Sequence, residues 1–246
     1  MILSGEGFTI VRKGKCNMTF LIKKGWLENF VEEIKKGFGE RIEFIGLQGS
    51  HGRGEASKES DIDVVVILDK LGMKDLEKYD EIISKMEDRE KICGFISGKE
   101  ELSCWEKADV FQFYYDTEPL VGNLDFILPT IKKSDIRRAI LVGSCNIYHV
   151  CGHNIIHEKD LEILFSLYKA ASFVLQAKYY YETGRYIKKK ADLLPKLSEQ
   201  DRKILEIYME IKELENITKE KFLNFSEELF NWASVLIKEH KMEEEN

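Results

Sequence analysis

Proline is nearly absent from this chain of 246 residues, with 3 in all. Rigid proline-rich spacers and collagen-like structure are therefore excluded. No stretch approaches the roughly 18 uninterrupted apolar residues of a membrane span. The N-terminal segment puts its short apolar part before its charges and lacks a small-residue cleavage site, so it does not read as a secretory signal. The five cysteines (Cys16, Cys93, Cys104, Cys145 and Cys151) are an odd set without a Cys-x-x-Cys pair. They read as reduced cytoplasmic thiols rather than a disulfide framework. An excess of positive charge is also missing: Lys plus Arg is 37 against 44 for Asp plus Glu, a net charge of −7. Binding nucleic acid by bulk charge calls for the opposite sign. Only local basic patches remain, Lys132-Lys133 with Arg137-Arg138 and Arg185 with Lys188, Lys189 and Lys190. They read as solvated faces or, alternatively, as contacts to acceptor phosphates.

What is present is a globular composition, 43% hydrophobic and 33% charged, long enough for one large domain or two modest ones. The two parts of the chain differ in texture. In the first, the spacing predicts a helix near Trp26–Lys36 and a strand over Arg41–Leu47. Next come a loop rich in Gly and Ser and a strand over Asp61–Leu68, whose three consecutive valines fit burial on both faces. A helix near Lys74–Glu90 and further strands at Cys93–Ile96 and Ala108–Tyr114 follow. From about Ser134 the strand signal stops. Helical stripes run over Asp135–His149 and Asp160–Tyr181, the latter stopped by Gly184. Ser198 and Thr218 read as caps of two more helices. The expected fold class is α+β. A small mixed sheet flanked by helices occupies residues 1–133, and an all-helical bundle occupies residues 134–246.

One segment carries chemistry. Gly49-Ser50 follows the first strand, and Asp61-Ile62-Asp63 opens the next. Small residues let backbone N–H groups and a hydroxyl approach an anion. Side chains at i and i+2 of a strand point to one face, so Asp61 and Asp63 stand side by side. Two adjacent anions call for a cation between them. Hard oxygen ligands suit Mg²⁺, which takes a few carboxylates plus substrate phosphate oxygens. The pattern points to metal-assisted phosphoryl or nucleotidyl transfer.

The string GLQGSHGRGEASKESDIDVVVIL resembles the signature of the DNA-polymerase-β-like nucleotidyltransferase superfamily, in the bacterial branch that holds antibiotic and minimal nucleotidyltransferases. The resemblance implies that Gly49 and Ser50 hold the β- and γ-phosphates of a nucleoside triphosphate and that Asp61 and Asp63 ligate Mg²⁺. It implies a third carboxylate on a later strand. Asp109 is the best match, with Asp116 and Asp125 as rivals. Two Mg²⁺ ions would then be shared among Asp61, Asp63 and Asp109. Arg53 stands where relatives often carry an arginine that neutralises phosphate charge. Gly52 replaces a frequent alanine, a change with no expected consequence, and His51 has no assigned role. The implied activity is transfer of a nucleoside monophosphate, AMP from ATP in the first instance, to a hydroxyl of a small aminoglycoside-like acceptor. RNA or a protein side chain is the alternative acceptor. A non-catalytic nucleotide-sensing or antitoxin-like module is the rival class. The oligomeric state is open, and a homodimer is compatible with the sequence.

His149, His153 and His157 repeat at i, i+4 and i+8. On a helix they would share a face suited to a transition metal. The other readings are surface or core histidines, or residues lining an acceptor pocket.

Overall fold

The computed structural model describes residues 9–11, 25–57 and 60–241. The N-terminal charges, Cys16 and all residues after Lys241 lie outside them. The chain divides into two units, one of residues 16–132 and one of residues 133–246 together with the first segment of the chain.

That first segment supplies β1 (Thr9–Val11), which belongs to the second unit. The unit of residues 16–132 then runs α1 (Trp26–Phe38), β2 (Ile42–Leu47), α2 (Gly49–Arg53), β3 (Ile62–Leu68), α3 (Met73–Ile83), β4 (Ile92–Gly98), α4 (Lys99–Cys104), α5 (Lys107–Asp116) and β5 (Glu118–Gly122). Its sheet has the order β4-β3-β2-β5. β3 and β4 are parallel, and β2 is antiparallel to both β3 and β5. The expected small mixed sheet is therefore present.

Alternation sorts the two faces of this sheet. Ile62, Val64, Val66 and Leu68 of β3 pack with Trp26, Phe30, Ile34 and Phe38 of α1 and with Ile83 of α3. Val65 and Ile67 face the other way, toward Phe44, Leu102 and Val110. Six of the seven β3 residues are fully buried, as the valine run predicts for a central strand covered on both sides.

One element departs from expectation. Residues 107–116 form helix α5 rather than a strand at 108–114. A seven-residue apolar run fits both periods. Here Glu106 caps the helix by accepting from the Ala108 N–H (3.5 Å). Val110, Phe113 and Tyr114, at i, i+3 and i+4, then pack on the sheet face.

The second unit contains α6 (Lys133–His153), a π-helical turn (Asn154–Glu158), α7 (Leu161–Thr183), α8 (Lys190–Leu193), α9 (Glu199–Lys212), β6 (Asn216–Thr218) and α10 (Lys219–Glu239). α6 packs on α7 and α10, and α7 packs on α9. The expected Ser198 cap forms, accepting from Asp201 N, and Asp160 and Thr218 also cap their helices, accepting from Glu162 N and Ile163 N and from Lys221 N. Gly184 ends α7 at φ 69°, a left-handed stop that favours glycine. β1 pairs antiparallel with β6, Ile10 opposite Ile217. That ribbon is the departure from an all-helical second part, and it takes the first segment out of the first domain drawn from sequence.

His149, His153 and His157 are all exposed. The His153 and His157 rings lie 4.7 Å apart, yet among the described residues no group of three His, Cys, Asp or Glu side chains gathers to hold a metal ion. The second basic patch is not simply solvated: Lys190 is buried, its ammonium 4.8 Å from the Phe173 ring centre and 5.7 Å from that of Tyr208. Among the described residues no helix is long and apolar enough to cross a membrane. The described cysteines are free, with Cys151 buried and the others exposed.

Candidate active site

β2 delivers the chain to Gln48, and α2 begins at once. Gly49 adopts φ +64°, and a β-carbon built on it would stand 1.8 Å from Oδ2 of Asp63. A side chain at 49 would have to displace that carboxylate and would be strained at this φ, which favours glycine. The Gln48 N–H donates to the Asp63 carbonyl at 2.7 Å, which locks this register. The Gly-Ser turn and the second aspartate of the Asp-x-Asp pair are one physical unit. Asp61 precedes β3 and is exposed, while Asp63, Gly49 and Ser50 are half-buried.

The turn is held from both sides. Before it, the Gln48 side-chain amide donates to Thr117 Oγ1 (2.6 Å) and to the Phe113 carbonyl (3.3 Å). After it, Arg53 donates to Asp116 Oδ2 (2.6 Å) and Glu55 Oε2 (2.9 Å). Both anchors reach the C-terminal end of α5. Gly52 is tight as well, since a β-carbon there would stand 2.7 Å from the Leu47 carbonyl oxygen. The alanine of relatives would need a shift here, contrary to the expectation of no consequence.

This geometry gives Arg53 ion-pair partners that the sequence did not suggest. Its side chain is 5% exposed and is ion-paired with Asp116 and Glu55, so it braces the turn. Burial opposes its charge, but the two carboxylates more than offset that, and its pKa is raised. The sequence gives no hint of this, because Arg53 and Asp116 are 63 positions apart. Of the rivals for the third carboxylate, Asp116 is thus taken by Arg53. Asp125 is exposed and accepts from the Tyr114 hydroxyl at 3.2 Å.

Asp109 is corrected too. It lies in the first turn of α5 and is exposed, so the strand that was to aim it does not exist. Among the described residues no group of three metal-ligating side chains forms, so Asp61, Asp63 and Asp109 are not brought together. The strand bonded beside Asp63 is β4, with Cys93 directly opposite. Its sequence, ICGFISG, holds no carboxylate.

His51, unassigned from sequence, stands within this site. Burial lowers its pKa, helped by Lys91 and opposed by the Ser60 carbonyl and the Asp63 charge. Its Nε2 is buried with no hydrogen-bond partner among the described residues.

Residues 27–116 match the family model for the nucleotidyltransferase domain. No curated protein shows a significant match to the chain. Among solved structures, the chain is similar to a crystal structure of spectinomycin adenyltransferase AAD(9) from Enterococcus faecialis with ATP and spectinomycin. The TM-score is 0.53 and the identity 16%, over 87% of this chain and 99% of that one. The likeness is one of fold. With the family match over residues 27–116, it agrees with the resemblance read from the motif.

Proposed function

We propose that this protein transfers a nucleoside monophosphate, AMP from ATP, to a hydroxyl of a small-molecule acceptor of the aminoglycoside-like kind. The reading rests on one observation: the Asp63 carboxylate fills the side-chain space of Gly49, so an anion-binding turn and a cation-binding carboxylate share one address. The spectinomycin and ATP named with the AAD(9) structure support the acceptor class and the nucleotide.

In the proposed reaction Gly49 and Ser50 hold the β- and γ-phosphates. The acceptor hydroxyl attacks the α-phosphorus in line, its proton is lost as the new P–O bond forms, and pyrophosphate leaves. The protein's work is positioning and stabilisation of developing charge. Asp61 and Asp63 would hold Mg²⁺. Two carboxylates completed by phosphate oxygens are an ordinary Mg²⁺ set, so the residues fit one ion. A second ion sharing a third carboxylate has no such support among the described residues. Bound Mg²⁺ supplies neutralisation of phosphate charge and polarisation of the reacting centre. Gln48 and Arg53 keep the turn in place against α5.

A second reading, a non-catalytic nucleotide sensor, is favoured by one feature, the lack of a carboxylate on β4 beside Asp63. The deciding experiment incubates the protein with ATP, Mg²⁺ and a panel of hydroxylated acceptors that includes spectinomycin. Mass spectrometry then looks for a product that has gained one AMP unit, and thermal melts with ATP are run with and without Mg²⁺. A nucleotidylated product and a Mg²⁺-dependent shift are expected. A shift that ignores Mg²⁺, with no product from any acceptor, would establish the sensor instead.

A further inference from the structure

The transfer reaction uses none of the three histidines that repeat along the helical unit, and the structure sorts them into a pair and a single. His153 ends α6, and His157 lies in the π-helical turn that follows. Their rings stand 4.7 Å apart between centres and are tilted by 47°. His149 lies one turn earlier on α6, outside this ring contact. All three side chains are exposed.

The pair stands on an uncommon and firmly held piece of backbone. In the π-helical turn the Lys159 N–H donates five residues back, to the Asn154 carbonyl, at 2.7 Å. Asn154, between the two histidines, is 1% exposed. Its side-chain amide clamps the backbone of Asp160: Nδ2 donates to the Asp160 carbonyl (3.0 Å), and the Asp160 N–H donates to Oδ1 (2.9 Å). Asp160 in turn caps α7. The turn closes at Lys159 with φ +53°, a conformation that a residue other than glycine keeps only where its surroundings enforce it. π-turns of this kind recur at functional sites. The clamp uses the buried amide and leaves both imidazoles exposed.

Fixed spacing gives the pair a chemistry that separate rings lack. Imidazole nitrogen binds divalent transition ions at about 2.0–2.1 Å, which sets each ring centre about 3.2 Å from the ion. Centres 4.7 Å apart then subtend about 95° at a shared ion, by the same bond length. That is close to the angle of about 90° between neighbouring ligands of square-planar and octahedral ions, and further from the tetrahedral angle of Zn²⁺. The local field agrees, since the pair lies at the C-terminal end of α6 and its turn, where carbonyls without helical partners favour positive charge.

We propose that His153 and His157 chelate one divalent transition ion of square-planar or octahedral habit, Ni²⁺ or Cu²⁺, with water in its remaining positions. No third His, Cys, Asp or Glu gathers beside them among the described residues, so the site is open and exchangeable, unlike a closed structural centre. It stands in the helical unit and does not depend on the transferase reading. The test uses the full chain without an affinity tag, titrated with Ni²⁺ by isothermal calorimetry in excess Mg²⁺, which keeps oxygen-ligand positions filled by the harder ion. A saturable site for one Ni²⁺ per chain is expected, tighter than for Zn²⁺ under the same conditions. His153→Ala and His157→Ala should each weaken it at least about tenfold, because either removes the intramolecular second bond. His149→Ala should leave it unchanged. The exposed positions tolerate truncation, and a metal-free melt of each variant checks that the fold is kept. Ni²⁺ should also raise the melting temperature of the parent but not that of His153→Ala. No saturable Ni²⁺ binding, or binding indifferent to His153→Ala and His157→Ala, would overturn the proposal. So would a tighter site for Zn²⁺, or a loss in His149→Ala as large as in the other two variants.

Discussion

In the unit of residues 16–132, some glycines stand directly against backbone carbonyls. A β-carbon at Gly94 would stand 1.9 Å from the Val64 carbonyl oxygen, and one at Gly52 2.7 Å from that of Leu47. In the helical unit the glycine neighbours are side chains: Gly143 faces Val174 Cγ2, and Gly152 faces the Phe230 ring at 3.6 Å. Flexible side chains can yield where carbonyls cannot. The helical unit draws its definition instead from buried polar side chains that find partners. Tyr168 donates to the Phe225 carbonyl (2.8 Å), and Gln176 donates to those of Ile187 and Lys188 (2.9 Å each). The contrast is between a unit whose strand and turn glycines include close approaches to backbone carbonyls and one whose helices are joined by buried side-chain hydrogen bonds. Damage to the first should appear in chemistry, with or without a loss of stability, and damage to the second in stability.

The largest effect should come from Asp201, at the centre of the helical network. It is buried, and it accepts from Lys178 Nζ (2.6 Å), Ser198 Oγ (2.9 Å) and Trp232 Nε1 (2.9 Å). Asp201→Ala leaves a half-buried ammonium and a buried indole N–H without their acceptor. A loss of about 3–5 kcal/mol is expected, measured by denaturant unfolding. If Asp201→Ala melts like the parent, the network is ornamental and the contrast fails.

Asp63→Asn should behave in the opposite way. It keeps the shape beside Gly49 and loses the charge. Transfer should fall by about 10²–10³-fold, the range for removing one preorganised electrostatic group, while the melting temperature stays close to that of the parent. Gly49→Ala should lose transfer to a similar extent by displacing the Asp63 carboxylate, since ångström-scale misplacement costs about 10²-fold. Full activity in Asp63→Asn would remove the catalytic reading of this unit.

Gly52→Ala is a milder test of the same idea. Its methyl must push on the Leu47 carbonyl, at a cost of about 1–3 kcal/mol as for other overpacked sites. The strain falls on a turn already pinned by Gln48 and Arg53, so nucleotide binding should weaken with it. A Gly52→Ala protein with parental stability and parental ATP affinity would show that this backbone contact is slack.

Legibility in the sequence followed the same division. The helical unit was readable because its signals are local: Asp160, Ser198 and Thr218 cap, and Gly184 stops, within a turn of the helices they serve. The β3 run and the Gly49–Asp63 pairing were readable because the motif is nearly contiguous. Three features were not. α5 is a short apolar run that satisfies both periods. The Arg53–Asp116 ion pair and the β1–β6 ribbon join residues far apart in the chain, and no local pattern encodes a partner at such a distance. The third carboxylate was sought on a strand that proved to be α5, while the strand beside Asp63 brought Cys93.

The smallest effect concerns alkaline pH, where the two units should soften in sequence. Burial pushes the Cys151 thiol, in the helical unit, up from 9.0 to about 11. Burial likewise pushes the Tyr79 hydroxyl, in the sheet unit, from 10.0 to about 12, and it raises Tyr168 of the helical unit above its ordinary 10.0. Each group holds its proton more tightly folded than unfolded. Its contribution to stability is therefore whole below the ordinary value and is lost as pH rises through the raised one. The loss runs from pH 9.0 to about 11 for Cys151 and from 10.0 to about 12 for Tyr79. Of these three groups only Cys151 acts between pH 9 and 10, so the helical unit should begin to weaken first. Denaturant midpoints measured at pH 8.5 and 10 should drift apart in the parent and converge in Cys151→Ala, which has no thiol to ionise. An equal drift in both proteins would place the first alkaline weakening elsewhere, and the order of the two units would have to be reversed or abandoned.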